Sequence, residues 1–313
     1  TFIHLHSEDG LSDYFERIRT LHLYYAACSS RGDVPLPQIS GLNFQTNGDN
    51  HQLGTQIWHW IAETSYAPLI AADAIDVTDP YFDTYVRQLP SCEIAARQRW
   101  GVESGVFFPE TCPTDGPIVL PDEYACEFRE YFRWRSDSET VSDQTLALCQ
   151  HESHAHYVTS YDGKRSDAPG WPKPFAAISH IVSTGPKIAL HAWWRYRATG
   201  DRTWLRSHAY PLLKGTTELY RHLLRKDDDG LYHLYDTHVM ESFYVVKDSL
   251  KDLAAIRAIT PAAVQAAETL DVDADLRAEW QDIIDHLAPY PLGSDSGAKN
   301  LKLSVIDEGA WAA

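Results

Sequence analysis

Between Lys187 and Pro291 the chain alternates helix-length amphipathic segments with two- to five-residue turns, and this rhythm limits it to an antiparallel helical-hairpin architecture. Pro186 to Ala198 reads as a helix closed by Gly200, a residue suited to the left-handed position just past a helix end. Asp201 can cap the next helix, which runs through Tyr210 and Pro211 to about Arg225 and stops before Asp227-Asp228-Asp229-Gly230. Further helices are expected over Asp248–Ile259, over Pro261–Leu270 with Pro261 at a first helical position, and over Asp273–Leu287. The last carries Leu276, Trp280, Ile283, Ile284 and Leu287 on one stripe. The best short strand is Leu231–Tyr235.

Upstream, Tyr14, Ile18, Leu21 and Tyr25 give helical spacing over Asp13–Ala27, with Ser12 or Asp13 as its cap. Parts of His51–Ala72 and of Asp79–Arg99 follow the same period, the second kinked or restarted at Pro90. Residues 101–185 differ: they are rich in Pro, Gly, Asp and Ser, with weak helical patterning outside Leu146–Tyr157. A loop-rich insertion of this length is expected to cover a site. No residue-level repeat is visible, so a regular solenoid is excluded. The 313 residues read as a single catalytic domain, or a fragment of one, with this insertion.

Charge narrows the partners. With 27 basic and 44 acidic residues the chain carries −17, which argues against nucleic acid and against anionic membrane surfaces. No apolar run approaches the roughly 20 residues of a membrane span. Seventeen Tyr, ten Trp and ten Phe beside many carboxylates suit carbohydrate, because sugar faces stack on aromatic rings and hydroxyls bond to carboxylates. The five cysteines form no CxxC pair and no zinc spacing, so no metal or other cofactor is expected; Cys112 and Cys126 are candidates for a bridge. His151 and His154 lie in HESHAH, where Ala155 breaks the HExxH spacing of a metalloprotease. These histidines read instead as cleft residues, and His154 with Tyr157 keeps a toroid-lyase chemistry open. That chemistry calls for Lys or Arg to hold a uronate carboxylate.

Several polar groups suit a sugar directly. Asn47, Asp49, His51 and Gln52 precede an aromatic helix and offer directional hydrogen bonds, while Trp58 and Trp60 offer stacking faces. A loop cap above core tryptophans explains the same pattern. Glu241 stands between Met240 and Phe243–Tyr244, an apolar setting that raises a carboxyl pKa as a general acid requires. A glutamate capping a helix start is its structural alternative. His238, three residues earlier, can face the same pocket.

The order IALHAWWRYRATGDRTWLRSHAYPLLKG, DDDGLYHL and then Met240–Glu241 resembles the catalytic domain of six-hairpin (α/α)6 glycosidases, and glycoside hydrolase family 95 more than family 65. YAACSSRGDVPLPQISGLN upstream and the helices from Asp252 to Gly293 extend the likeness to roughly Tyr14–Gly293, apart from the insertion. The resemblance implies an all-α helical-hairpin toroid with long loop insertions, open to missing elements at its termini. It further implies inverting hydrolysis of a glycosidic bond in an oligo- or polysaccharide and a secreted or periplasmic location. It makes Glu241 the acid and places the base near Asp307 or Glu308. It also aligns Gln56 with a family glutamine and sets Glu110 and Asp115 in a loop facing the site. Two features depart from the family: its paired asparagines fall near Gln52 and Gly54 here, and its S-P-E-N is Val239-Met240-Glu241-Ser242. The likeness therefore transfers neither sugar specificity nor oligomeric state. A non-catalytic sugar-binding fragment is the third reading.

Overall fold

A computed structural model describes residues 4–32, 57–132, 142–145, 181–239, 245–293 and 300–301. The architecture is all-α. Eight helices are named: α1 (Leu11–Ser29), α2 (His59–Ala71), α3 (Asp79–Ala95), α4 (Asp122–Phe132), α5 (Thr184–Thr199), α6 (Tyr210–Leu223), α7 (Leu250–Leu270) and α8 (Ala274–His286). Three hairpins, α2–α3, α5–α6 and α7–α8, lie side by side. α5 packs against both α2 and α7, and α6 packs against α3, α7 and α8.

The turns follow from their residues. Gly200 is left-handed (φ 69°) and ends α5; Asp201 then accepts hydrogen bonds from the Thr203 and Trp204 N–H groups and starts the next helical stretch. That stretch widens to a π-turn at Leu205–Ala209 before Tyr210 begins α6, with Pro211 in its first turn. Ser249 caps α7 by accepting from the Asp252 N–H. The acidic turn after α6 forms the hairpin of β3 (Leu224–Lys226) and β4 (Tyr232–Leu234), in register Leu224↔Leu234.

Several expected boundaries move. α1 begins at Leu11 behind a left-handed Gly10, so neither Ser12 nor Asp13 is its cap. The expected break at Pro261 is absent: α7 is continuous from Leu250 to Leu270. Packing against α5, α6 and α8 holds the helix through one missing N–H, and Pro68 and Pro90 likewise sit inside α2 and α3 on exposed faces. The 101–185 stretch is not loop alone, since α4 packs on the π-turn Ala96–Trp100 that ends α3. Leu146–Tyr157 lies outside the described residues. Cys112 and Cys126 are not bridged: Cys112 is buried, with its thiol 3.7 Å from Gln88 Oε1, and Cys126 is exposed on α4.

Two glycines place the segment that leads to the site. The Val106 N–H donates to the Gly215 carbonyl on α6 at 2.9 Å. A Cβ on Gly105 (φ 112°) would lie 2.5 Å from the Leu219 backbone nitrogen, and one on Gly215 would lie 2.7 Å from Val106. This close approach lays Val106, Phe107 and Phe108 into the core. The chain is then carried to Glu110 and to β2 (Thr111–Cys112), which pairs with β1 (Ile57–Trp58).

Capping and burial should be separable in stability. Asp201→Ala is expected to cost about 1 kcal/mol. Trp280→Ala, which empties a fully buried site in α8, is expected to cost about 3–5 kcal/mol. Urea midpoints at unchanged slope measure both, and equal losses would contradict this division.

Candidate active site

The first turns of α2, α5 and α7 meet at one place, and Glu110 ties two of them together. Its side chain is 2% exposed. Oε1 accepts the Trp60 N–H at 2.7 Å, Oε2 accepts the Thr184 hydroxyl at 2.8 Å, and the backbone carbonyl accepts the His59 N–H at 2.9 Å. α2 has no side-chain cap of its own, so Glu110 supplies one from fifty residues away. A carboxylate at a helix N-terminus also complements the helix dipole.

A charged network lies beside it. His59 Nε2 is 3.2 Å from Glu63 Oε2, His59 Nδ1 is 3.1 Å from the Tyr85 hydroxyl, and Lys187 Nζ donates to Glu63 Oε1 at 3.0 Å. Burial pushes the Glu63 carboxyl up. The His59 hydrogen bond and the charges of His59 and Lys187 outweigh it and hold the group at about 2. Burial, reinforced by His59, pushes nearby His191 down to about 4. Trp60 presents a half-exposed indole here, with Lys187 Nζ 4.9 Å and Lys251 Nζ 5.8 Å from its ring centroid.

The residues flanking Glu241 are pinned to the same place. Thr237 and Val246 bridge, with the Val246 N–H donating to the Thr237 carbonyl at 3.0 Å. Asp248 spans the hairpin: its N–H donates to the Leu234 carbonyl, and its carboxylate accepts the Leu234 N–H at 2.9 Å and faces His233 Nδ1 at 2.6 Å. Buried Asp252 accepts from the Ser249, Tyr220 and Thr237 hydroxyls. Its burial raises the carboxyl pKa against those bonds. Lys251 Nζ donates to the Val239 carbonyl at 3.2 Å, two residues before Glu241.

Of the residues singled out by sequence, Glu110 lies in this cluster, and His238 is buried beside Val239 in a parallel bridge to Ile181. Trp58 is partly buried in β1 opposite Thr111, while Trp60 is the open indole. Asp115 is exposed in the turn after β2, where its backbone carbonyl accepts from Ser91 on α3. Glu241, Asp307, Glu308, Asn47, Asp49, His51, Gln52, Gln56, His151 and His154 lie outside the described residues. Among the described residues no group of His, Cys, Asp and Glu is arranged to hold a metal. Sequence reasoning did not single out Glu63, Lys187, Lys251 or Asp252. The first has a readable signal, because Glu63 follows His59 by one helical turn.

Known proteins share parts of this chain. Residues 152–302 match the glycosyl hydrolase family 95 catalytic domain. Over these residues the chain is similar to the six-hairpin glycosidase superfamily. A kojibiose hydrolase of Flavobacterium johnsoniae is 40% identical over 58 residues, which is 18% of this chain and 8% of that protein. A solved structure described as a putative kojibiose phosphorylase from human microbiome aligns over 95% of this chain and 36% of its own, at 10% identity and a TM-score of 0.48. The chain thus spans about a third of that structure, and its matched segment spans under a tenth of the curated relative. Residues 152–302 thus resemble a carbohydrate-active enzyme domain.

Two outcomes test the cluster. Glu110→Ala leaves the Trp60 N–H and Thr184 hydroxyl without their acceptor and should cost about 2–4 kcal/mol. A loss under about 0.5 kcal/mol in urea unfolding would contradict the capping role. Glu63 has a folded pKa below its unfolded value, so its contribution is present above pH 4.5 and is lost as pH falls toward 2. Glu63→Gln should therefore flatten the stability curve between pH 4.5 and 2 by on the order of 2–3 kcal/mol, read by thermal melts across pH. An unchanged acid limb would contradict it.

Proposed function

We propose that the chain is the catalytic domain of a glycoside hydrolase acting on an oligo- or polysaccharide, with Glu241 as general acid. One observation carries the reading. The Lys251 ammonium that bonds the Val239 carbonyl, two residues before Glu241, also lies 5.8 Å from the centre of the half-exposed Trp60 indole, which supports a sugar site beside that segment. An acid that protonates a leaving oxygen must be held beside a surface that holds the sugar, and an indole is such a surface. Met240, Phe243 and Tyr244 around Glu241 favour its protonated form at neutral pH.

The proposed course is inverting. Glu241 donates a proton to the glycosidic oxygen while a second carboxylate, Asp307 or Glu308, removes one from the attacking water. Such pairs stand about 6.5–9.5 Å apart, leaving room for the water. Asn47, Asp49, His51, Gln52 and Gln56 are proposed to bind sugar hydroxyls, with His151, His154 and His238 lining the cleft. The name of the Flavobacterium johnsoniae relative makes kojibiose a first substrate to test.

Glu241→Gln should lower kcat on a glycoside with a poor leaving group by about 10²–10⁴-fold, with little loss on an activated aryl glycoside and an unchanged circular dichroism spectrum. Near-normal turnover of the poor substrate would sink the assignment. Proton NMR of the first product should show the anomer opposite to the substrate, and retention would rule out the inverting course. Formation of an unsaturated, ultraviolet-absorbing product would instead establish the lyase reading.

A further inference from the structure

We infer that His233 is a positioning residue: clasped between Asp248 and Asp229, its imidazolium holds in register the two ends of the chain that carries Glu241, and loss of its proton loosens them. The inference rests on the reading of Glu241 as the acid and adds the group that makes its placement depend on pH.

Three non-glycine residues around this segment have left-handed backbones: Asp236 (φ 59°) before Glu241, and Val245 (φ 51°) and Asp248 (φ 48°) after it. A β-branched residue such as Val245 rarely adopts this conformation, and such strain persists only where the surroundings impose it. Here the Thr237–Val246 bridge and the contacts of Asp248 impose it. Asp248 engages both backbone groups of Leu234: its N–H donates to the carbonyl at 2.8 Å, and its Oδ1 accepts the N–H at 2.9 Å. Its other carboxylate oxygen lies 2.6 Å from His233 Nδ1.

His233 faces a carboxylate at each nitrogen, since Nε2 lies 3.1 Å from Asp229 Oδ2 in the acidic turn. A neutral imidazole has one N–H and one bare lone pair, so it can donate to only one of the two, whereas the imidazolium donates to both. Asp248 is 3% exposed, and among the described residues no other cation comes within ion-pair distance of it. Proton loss therefore turns a lone pair toward one carboxylate and leaves Asp248 buried without its counter-charge.

The other charged groups near the ring are Lys247 beside Asp248, Arg225 opposite His233 on β3, and Asp227. Lys247 and Asp227 pair with each other at 3.3 Å. Burial pushes the His233 pKa down. Its bonds to Asp248 and Asp229 and the charge of Asp248 outweigh burial and the opposing charge of Lys247, and hold it above the usual histidine value. The clasp is thus complete in acid and is lost as pH rises through that raised value.

Amide exchange by NMR on the wild-type chain, corrected for the intrinsic rate, tests this. Protection of the Leu234 and Val246 amides should fall at least about threefold between about pH 6 and about pH 9, while amides in the middle of α7 keep theirs. Asp229→Asn keeps an acceptor for the Leu231 N–H but removes one carboxylate from the ring, so the fall should move to lower pH. His233→Gln should leave both amides poorly protected, with no pH dependence. On a glycoside with a poor leaving group, the alkaline limb of kcat should also move to lower pH in Asp229→Asn. Protection that does not change with pH, or a midpoint that Asp229→Asn does not move, would overturn the inference. So would an alkaline limb that stays in place while the exchange midpoint moves. Wild-type turnover of that glycoside by Glu241→Gln would remove the acid assignment and leave the pH-dependent clasp standing.

Discussion

The site depends on one buried carboxylate that holds two helix ends together. Glu110 contacts the start of α2 through the His59 and Trp60 N–H groups and the start of α5 through Thr184. Without that contact α2 would begin with uncapped N–H groups, and only helix packing and the Lys187–Glu63 ion pair would hold the Trp60 ring beside Lys187. Glu110 reaches this position because Gly105 and Gly215 let its segment press against α6. A tight backbone contact far from the chemistry therefore sets the geometry of the cluster.

A second buried carboxylate does the matching work on the far side. Asp252 gathers the hydroxyls of Ser249, Tyr220 and Thr237, joining the start of α7 to α6 and to the strand-like residues before Glu241. Asp248 and His233 close the hairpin from the other direction. The chain on both sides of Glu241 is thereby held by buried polar contacts rather than by a regular element. Buried polar groups satisfied in this way fix one arrangement over its alternatives.

The hairpin rhythm was legible in the sequence because local chemistry sets it. Gly200 and Asp201 punctuate α5 and α6 as their types demand, and the α8 stripe of Trp280, Ile283 and Leu287 is buried as its period implies. What local chemistry cannot show is where distant residues meet. Pro261 reads as a helix start, yet neighbouring helices carry α7 through it. Cys112 and Cys126 are close in sequence, but β2 and α4 hold them apart in exposure and partners. The sequence singled out Glu110 as a residue able to touch substrate, but its capping role was not legible, because its partners lie fifty and seventy-four residues away. Lys187, Lys251 and Trp60 form one surface only once three helix ends converge.

The central claim is that Glu241 acts on a sugar held against Trp60. A crystal structure of Glu241→Gln with an intact oligosaccharide tests it most directly. The account predicts a pyranose stacked on the Trp60 indole, with the side chain of residue 241 within hydrogen-bond distance of the glycosidic oxygen. A sugar bound elsewhere, or a residue 241 turned away from that oxygen, would contradict it.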